Sequence, residues 1–227
     1  IIKDEATGEP KGLVRGPYFH SFLSDLLPPV TLEEKKTAIL QAARDLNALG
    51  ITGITEGALG PGGEGFQGGL WDPECIRAYE ELAAAGKLTV KVGYLRLLAP
   101  YGTYSREAIT RGIETWPTGT HTGTEWFHVV GIKLFADGIP LSRTAWMHED
   151  YTGGGNSRLL MTGDSDEARR VELHGIITLL HERGIRLAIH VTGDAAVDAC
   201  VEGFARAETA RPGGLRHYLI PGDFISP

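Results

Sequence analysis

Five times along this chain, a stretch with apolar residues every three or four positions gives way to a short stretch rich in β-branched and aromatic residues. Thr31 opens "TLEE", a capping-box pattern with Glu34, and Ile39, Leu40, Ala43 and Leu46 follow at helical spacing up to Gly50. "ITGITEGAL" then reads as a strand. Asp72 and Pro73 begin "ECIRAYEELAAA", closed by Gly86, with "LTVKVGYL" after it. Ser105 caps "REAITRGIETW", followed by "VVGIKLFAD". Asp164 or Ser165 caps a helix carrying Val171, Ile176, Leu179 and Leu180 on one face, with "IRLAIHV" beyond Gly184. Asp194 caps "AAVDACVEGFARAETA", and "LRHYLI" follows the "RPGG" turn.

Regular helix and strand alternation predicts an α/β fold with a parallel sheet, open and doubly wound or closed into a barrel. Five strands make part of an eight-stranded (β/α) barrel, so the chain is expected to be a partial TIM-like barrel. It reads as one domain, residues 1–227. "IIKDEATGEPKGLVRG", residues 1–16, predicts a hairpin flap, and the aperiodic residues 138–163 predict a long active-site loop. The chain opens on Ile1, not Met, and is expected to be a fragment of something longer.

Within this pattern one strand carries a charge where an interior strand should have none. In "GIKLFAD" a period of two puts Ile132, Leu134 and Ala136 on one face and Lys133, Phe135 and Asp137 on the other. "IRLAIH" repeats the split, with His190 on the second face. In a barrel the aliphatic faces meet the outer helices, and Lys133 and His190 point inward near the carboxyl ends of their strands, where barrel enzymes keep their chemistry. An isolated buried ammonium is costly, so Lys133 needs a partner or a chemical change. Burial depresses a lysine pKa, and a neutral amine combines with carbon dioxide to give a carbamate, an anionic oxygen ligand for metal ions. Neutral imidazole is a common metal donor, and Asp194 either caps its helix or orients such a ligand. Elsewhere, His148 in the long loop is positioned to approach a substrate. His20, His121, His128, His174 and His181 fall in loops or helices and are expected to face solvent.

A net charge of −7 with scattered Lys and Arg argues against a nucleic-acid partner. Two cysteines without CxxC spacing suit a reducing, cytoplasmic compartment. No apolar run reaches bilayer length, so no membrane partner is expected. "GPGGEG", Gly60 to Gly65, satisfies GxGxxG after a strand and raises the alternative of an NAD(P)-binding oxidoreductase, although the helix signal starts only at Asp72. A degenerate, non-catalytic barrel is a further alternative.

"GIKLFADG", "LAIHVTGDAAV" and "LRHYLI", in that order around a long loop, resemble the amidohydrolase superfamily, in the branch called amidohydrolase family 3, which includes N-substituted formamide deformylases. "DEATGEPKG" and "GITGITEGAL" resemble that branch's hairpin and second strand, so the likeness covers nearly the whole chain. The resemblance implies a distorted barrel in which metal-bound hydroxide attacks an amide or related carbon–nitrogen bond of a small molecule. It makes Lys133 the lysine that becomes carboxylated and His190 a histidine ligand to a divalent metal, with zinc the expected ion. It aligns His217 with the first histidine of the RHxIxH pattern, a substrate-side or supporting position shared with Asp137, Asp194 and His148.

Departures from the pattern are equally specific. None of the eight histidines stand two apart, so the first-strand HxH is absent, and the aspartate acting as general base would fall beyond Pro227. The sixth-strand ligand position is Pro221, which cannot bind metal. The chain alone is therefore expected to bind metal weakly or not at all, to be inactive, to keep Lys133 as a free amine either paired with Asp137 or exposed by the open barrel, and to self-associate through exposed sheet edges as a homo-oligomer.

Overall fold

In the computed structural model, which describes residues 1–13, 26–66, 68–116 and 123–226, the alternation becomes a five-stranded parallel sheet curled into a half-barrel. An antiparallel hairpin of β1 (Ile2–Lys3) and β2 (Pro10–Leu13) precedes it. Its turn is held by the Asp4 carboxylate, which accepts the Ala6 and Thr7 N–H groups. Residues 14–16 of the expected flap, and His20 and His121, lie outside the described residues.

The sheet runs in chain order through β3 (Gly53–Leu59), β4 (Lys91–Leu97), β5 (Phe127–Phe135), β6 (Leu187–Val191) and β7 (Tyr218–Pro221). Helices α1 (Leu32–Ala48), α2 (Pro73–Ala84), α3 (Arg106–Thr115), α4 (Asp166–Glu182) and α5 (Asp194–Ala210) alternate with the strands. Four helix starts follow the sequence signals. Thr31 and Glu34 close a capping box, and Asp72, Ser105 and Ser165 each accept an amide of the first turn. The fifth differs: Gly193 is the N-cap of α5, and Asp194 is already the first helical residue.

The helix-facing side of the sheet carries the core. Ile132, Leu134, Leu187, Ile189 and Val191 pack with Ile176, Ile177 and Leu180 of α4 and Ala196 and Cys200 of α5. A second cluster joins Ile76, Tyr79 and Leu82 of α2 to Val92, Tyr94, Phe127 and Val129. Each of the larger side chains contributes roughly 1.5–3 kcal/mol by leaving water.

Sequential parallel order is the arrangement of a barrel wall, not of a dinucleotide fold in which the strand order reverses about the first strand. The glycine-rich segment serves packing: a Cβ at Gly62 would lie 2.3 Å from the Ala99 carbonyl oxygen, and one at Gly63 2.2 Å from that of Trp71. Pro61–Gly63 forms a short 3-10 turn and α2 starts only at Pro73, so these amides are not gathered at a helix N-terminus for a phosphate. Among the described residues no helix is long and apolar enough to cross a membrane.

Candidate functional site

The inward face is fixed by the β5–β6 register. Lys133 pairs with Ala188 and Phe135 with His190, and paired residues of a parallel ladder share a face. Lys133 and His190 therefore stand on the same side of adjacent strands near their carboxyl ends, one rung apart, as the period of two predicts. They are close enough for the lysine charge to depress the histidine pKa.

Two buried lysines show how unusual one of them is. Lys35 in α1 is 5% exposed, and its Nζ lies 2.9 Å from both Asp72 carboxylate oxygens and 2.9 Å from Glu74, which together hold its pKa up against burial. Lys133 is equally buried, yet its Nζ has neither a hydrogen-bond nor an ion-pair partner among the described residues. It rests 4.7 Å from the Phe135 ring centroid. Desolvation alone pushes its pKa down to about 8. The expected pairing with Asp137 does not form, because that carboxylate is fully committed elsewhere.

Asp137 is 0% exposed and ties three segments together. Its Oδ1 accepts the Thr192 N–H at 3.0 Å, and its Oδ2 accepts the N–H groups of Gly193 and Trp146, both at 2.9 Å. Burial pushes the carboxyl up to about 6 against the pull of those amides. A Cβ at position 193 would fall 2.0 Å from the Trp146 carbonyl oxygen, so only glycine fits where the three strands of chain meet. The adjacent Gly138 carbonyl accepts from Thr192 Oγ1 at 2.7 Å and from His190 Nε2 at 3.2 Å. With its proton on Nε2, His190 presents Nδ1 as the lone-pair nitrogen, and desolvation keeps the ring neutral.

The remaining expected site residues are elsewhere. His217 precedes β7 and takes the parity of Leu187, toward the helices. It accepts the Leu187 N–H on Nδ1 and donates its Nε2–H to His181 Nδ1 at 2.9 Å, while Phe204 of α5 stacks on its ring. The strand begins later than the sequence suggests because Arg216 takes a left-handed backbone conformation just before it. Pro221 shares that outward parity opposite Val191, and the inward position beside His190 is Ile220.

Asp194 neither caps α5 nor orients His190. Its Oδ1 accepts the His148 N–H at 2.8 Å and that of Ala195 at 2.7 Å. His148 reaches outward to the Asp198 carboxylate at 2.8 Å, beside a cleft of about 290 Å³ between α4 and α5 lined by Trp146, Arg170 and Glu202 among others. The helical histidines do not face solvent: His181 is buried, and His174 donates to the Ala199 carbonyl.

What the sequence reading missed is an aromatic rim. Phe66 and Trp71, from the loop after β3, stack with centroids 4.0 Å apart, and Trp71 lies 5.9 Å from Phe135 in nearly parallel orientation. Tyr101, from the loop after β4, meets Phe135 edge-on at 5.2 Å, and His190 is tilted against it at 5.3 Å. The available signal was the concentration of rings just past the strand ends.

As a metal centre the described residues are incomplete. Lys133 and His190 offer two donors, no group of three or more His, Cys, Asp or Glu side chains converges among the described residues, and a hydrolytic centre takes at least three protein donors.

The model of the amidohydrolase family matches residues 1–224. The chain belongs to the amidohydrolase family. It is also similar in structure to an uncharacterized metal-dependent hydrolase from Pyrococcus horikoshii OT3, with a TM-score of 0.58 and 25% identity over 81% of this chain. A second uncharacterized metal-dependent hydrolase, from Pyrococcus furiosus, shares the fold with a TM-score of 0.62 and 23% identity over 91% of this chain. The family chain spans 32% and 38% of the lengths of those two proteins. No curated protein matches it significantly.

The cost of the buried Lys133 amine is measurable. Lys133→Met, a similar volume without the charge, should stabilise the protein by about 2 kcal/mol at pH 7. The folded-state pKa of about 8 lies below the ordinary 10.5, so the folded chain holds fewer protons than the unfolded one between those values. Wild-type stability therefore rises with pH across that window, and the gap to the variant should close there. Urea melts at pH 7 and pH 10 measure this; a destabilised Lys133→Met at pH 7 would mean that the amine has a stabilising partner.

Proposed function

We propose that this chain is part of a metal-dependent hydrolase of carbon–nitrogen bonds in small, non-peptide amides, including formamide-like ones. The observation that carries the reading is a buried, partnerless amine beside a neutral imidazole with a free Nδ1, at the carboxyl ends of adjacent parallel strands. Membership of the amidohydrolase family and likeness to a metal-dependent hydrolase at 25% identity support it.

In this reading Lys133 and His190 are two donors to a divalent metal, zinc by preference, and further donors come from outside the residues described. The neutral Lys133 amine adds to carbon dioxide, forming an N–C bond and releasing one proton, so that the site gains a carbamate oxygen donor. Asp137 positions the His190 strand end, and a cytoplasmic setting fits the free, buried Cys75 and Cys200.

The test is amine release from a panel of N-substituted formamides and acetamides by the full-length protein with zinc, alongside carbon NMR in labelled bicarbonate. Amine release should vanish in Lys133→Met and His190→Ala, and the carbamate signal should need both zinc and Lys133. The chain of 227 residues alone should release no amine and show no carbamate. Turnover of esters or phosphoesters without amides, or full activity in Lys133→Met, would overturn the assignment.

A further inference from the structure

Two histidines on the helix-facing side of the wall share a chain of hydrogen bonds that leaves no ring nitrogen over. Its ends are backbone groups with fixed roles. The Leu187 N–H can only donate, to His217 Nδ1 at 3.0 Å, and the Arg211 carbonyl can only accept, from His181 Nε2 at 2.6 Å. A neutral imidazole carries one proton, so His217 holds its own on Nε2 while His181 leaves Nδ1 as an acceptor. Those two nitrogens meet at 2.9 Å. Both tautomers are thus set from outside the pair, and the pair carries two protons.

A third proton has no place in this arrangement. The two lone pairs, on His217 Nδ1 and His181 Nδ1, are already engaged, so a proton on either turns two N–H groups against each other, at Leu187 or between the rings. One contact of His217 must then break. The charged groups around the pair come from every element packed on it. From α5, Glu208 stands 3.7 Å from His181 Nε2 and favours a positive charge, while its other oxygen accepts the Gly213 and Gly214 N–H groups. Arg186, at the entry to β6, bonds the Leu215 carbonyl and opposes a positive His217. Arg211 donates to the Glu182 carbonyl at the end of α4, and Arg216 precedes His217 in the chain.

Packing decides which partner moves. His181 is 3% exposed on α4, a helix whose Ile176, Ile177 and Leu180 belong to the main core. His217 is reached through residues 211–214, all exposed, and leads into β7, a four-residue edge strand paired only with β6.

We propose that His181 and His217 form an acid-operated latch, which holds the entry of β7 to α4 while the pair carries two protons and lets β7 go when it takes up a third, ahead of unfolding of the rest of the wall. Ile220 of β7 is paired with His190, so the release bares the edge of β6 beside the candidate site. The latch is independent of the hydrolase reading.

Amide hydrogen exchange with and without dilute urea reads the release residue by residue. The latched His217 resists protonation down to about pH 4, whereas a released one takes a proton below its ordinary 6.5, so release is favoured as the pH falls between those values. Protection of the Leu187 amide and of β7 should therefore fall roughly seventyfold from pH 7.5 to pH 4.5, after correction for the intrinsic exchange rate. That opening should be insensitive to dilute urea, because it exposes little surface. The Leu134 and Ile177 amides should stay at least about tenfold better protected at both pH values and respond steeply to urea. In His217→Asn the acid response at Leu187 should shrink to within about threefold. Protection at Leu187 that ignores pH, or that matches Leu134 and Ile177 in size and urea response, would overturn the proposal, as would a full acid response in the variant. Should His217→Asn fail to fold, the wild-type profiles decide.

Discussion

Replacing Asp137 with alanine should destabilise the protein by about 4 kcal/mol, because three N–H groups lose their acceptor at once. The substitution removes the only acceptor described for the N–H groups of Trp146, Thr192 and Gly193 and leaves them unpaired where the backbone is largely buried. Asp137→Asn should lose about half as much, because one amide oxygen still accepts at the Oδ2 position while its NH2 group faces a donor. Chemical denaturation gives the totals, and hydrogen exchange at residues 146, 192 and 193 localises them. A loss below about 1 kcal/mol in the alanine variant would show that these amides find other acceptors. The same variant should loosen the Gly138 carbonyl, and with it the tautomer of His190.

Acid should weaken the fold by about 3 kcal/mol through His217 alone, between pH 6.5 and pH 4. Burial among α4, α5 and β6 pushes its pKa down to about 4, with the neighbouring His181 and Arg186 adding to the fall and Glu208 opposing it. Its ordinary value is 6.5. Above that value the ring is neutral whether the chain is folded or not. Between the two values the unfolded chain takes up a proton that the folded one refuses, so stability falls as the pH drops, and the loss is complete below about 4. His217→Asn retains an acceptor for the Leu187 N–H at the Nδ1 position and does not titrate, while its shorter side chain gives up the bond to His181. It should be less stable than wild type at pH 7.5 but lose less on acidification. Parallel stability profiles for the two proteins would exclude His217 as the source.

Legibility in the sequence followed the range of the interaction concerned. Helix starts at Thr31, Asp72, Ser105 and Ser165 rest on contacts three residues apart and could be read directly. Lys133 and His190 could be placed on one face of adjacent strands because a charged residue on a period-two strand is conspicuous whatever surrounds it. Asp194 misled because an acid just before a helix looks like a cap, and only the approach of residue 148 shows where its carboxylate points. His217 misled through a shift at the start of β7, where a left-handed Arg216 moves the strand entry. The partners of Asp137 lie 9, 55 and 56 residues away, beyond any local pattern. The family pattern placed the motifs in the right order, yet it could not tell which side of β7 its last residues would face.

A wall in which each strand pairs with the next one in the chain has a consequence for how the protein comes into being. Every ladder from β3 to β7 joins segments separated by one helix and its loops, so each strand emerging from a ribosome already has its template in place. Synthesis can thus lay the wall down one stave at a time. The first stave to carry chemistry, β5, waits only for β6 before Lys133 and His190 are neighbours, and residues made later can extend the wall without undoing that pair.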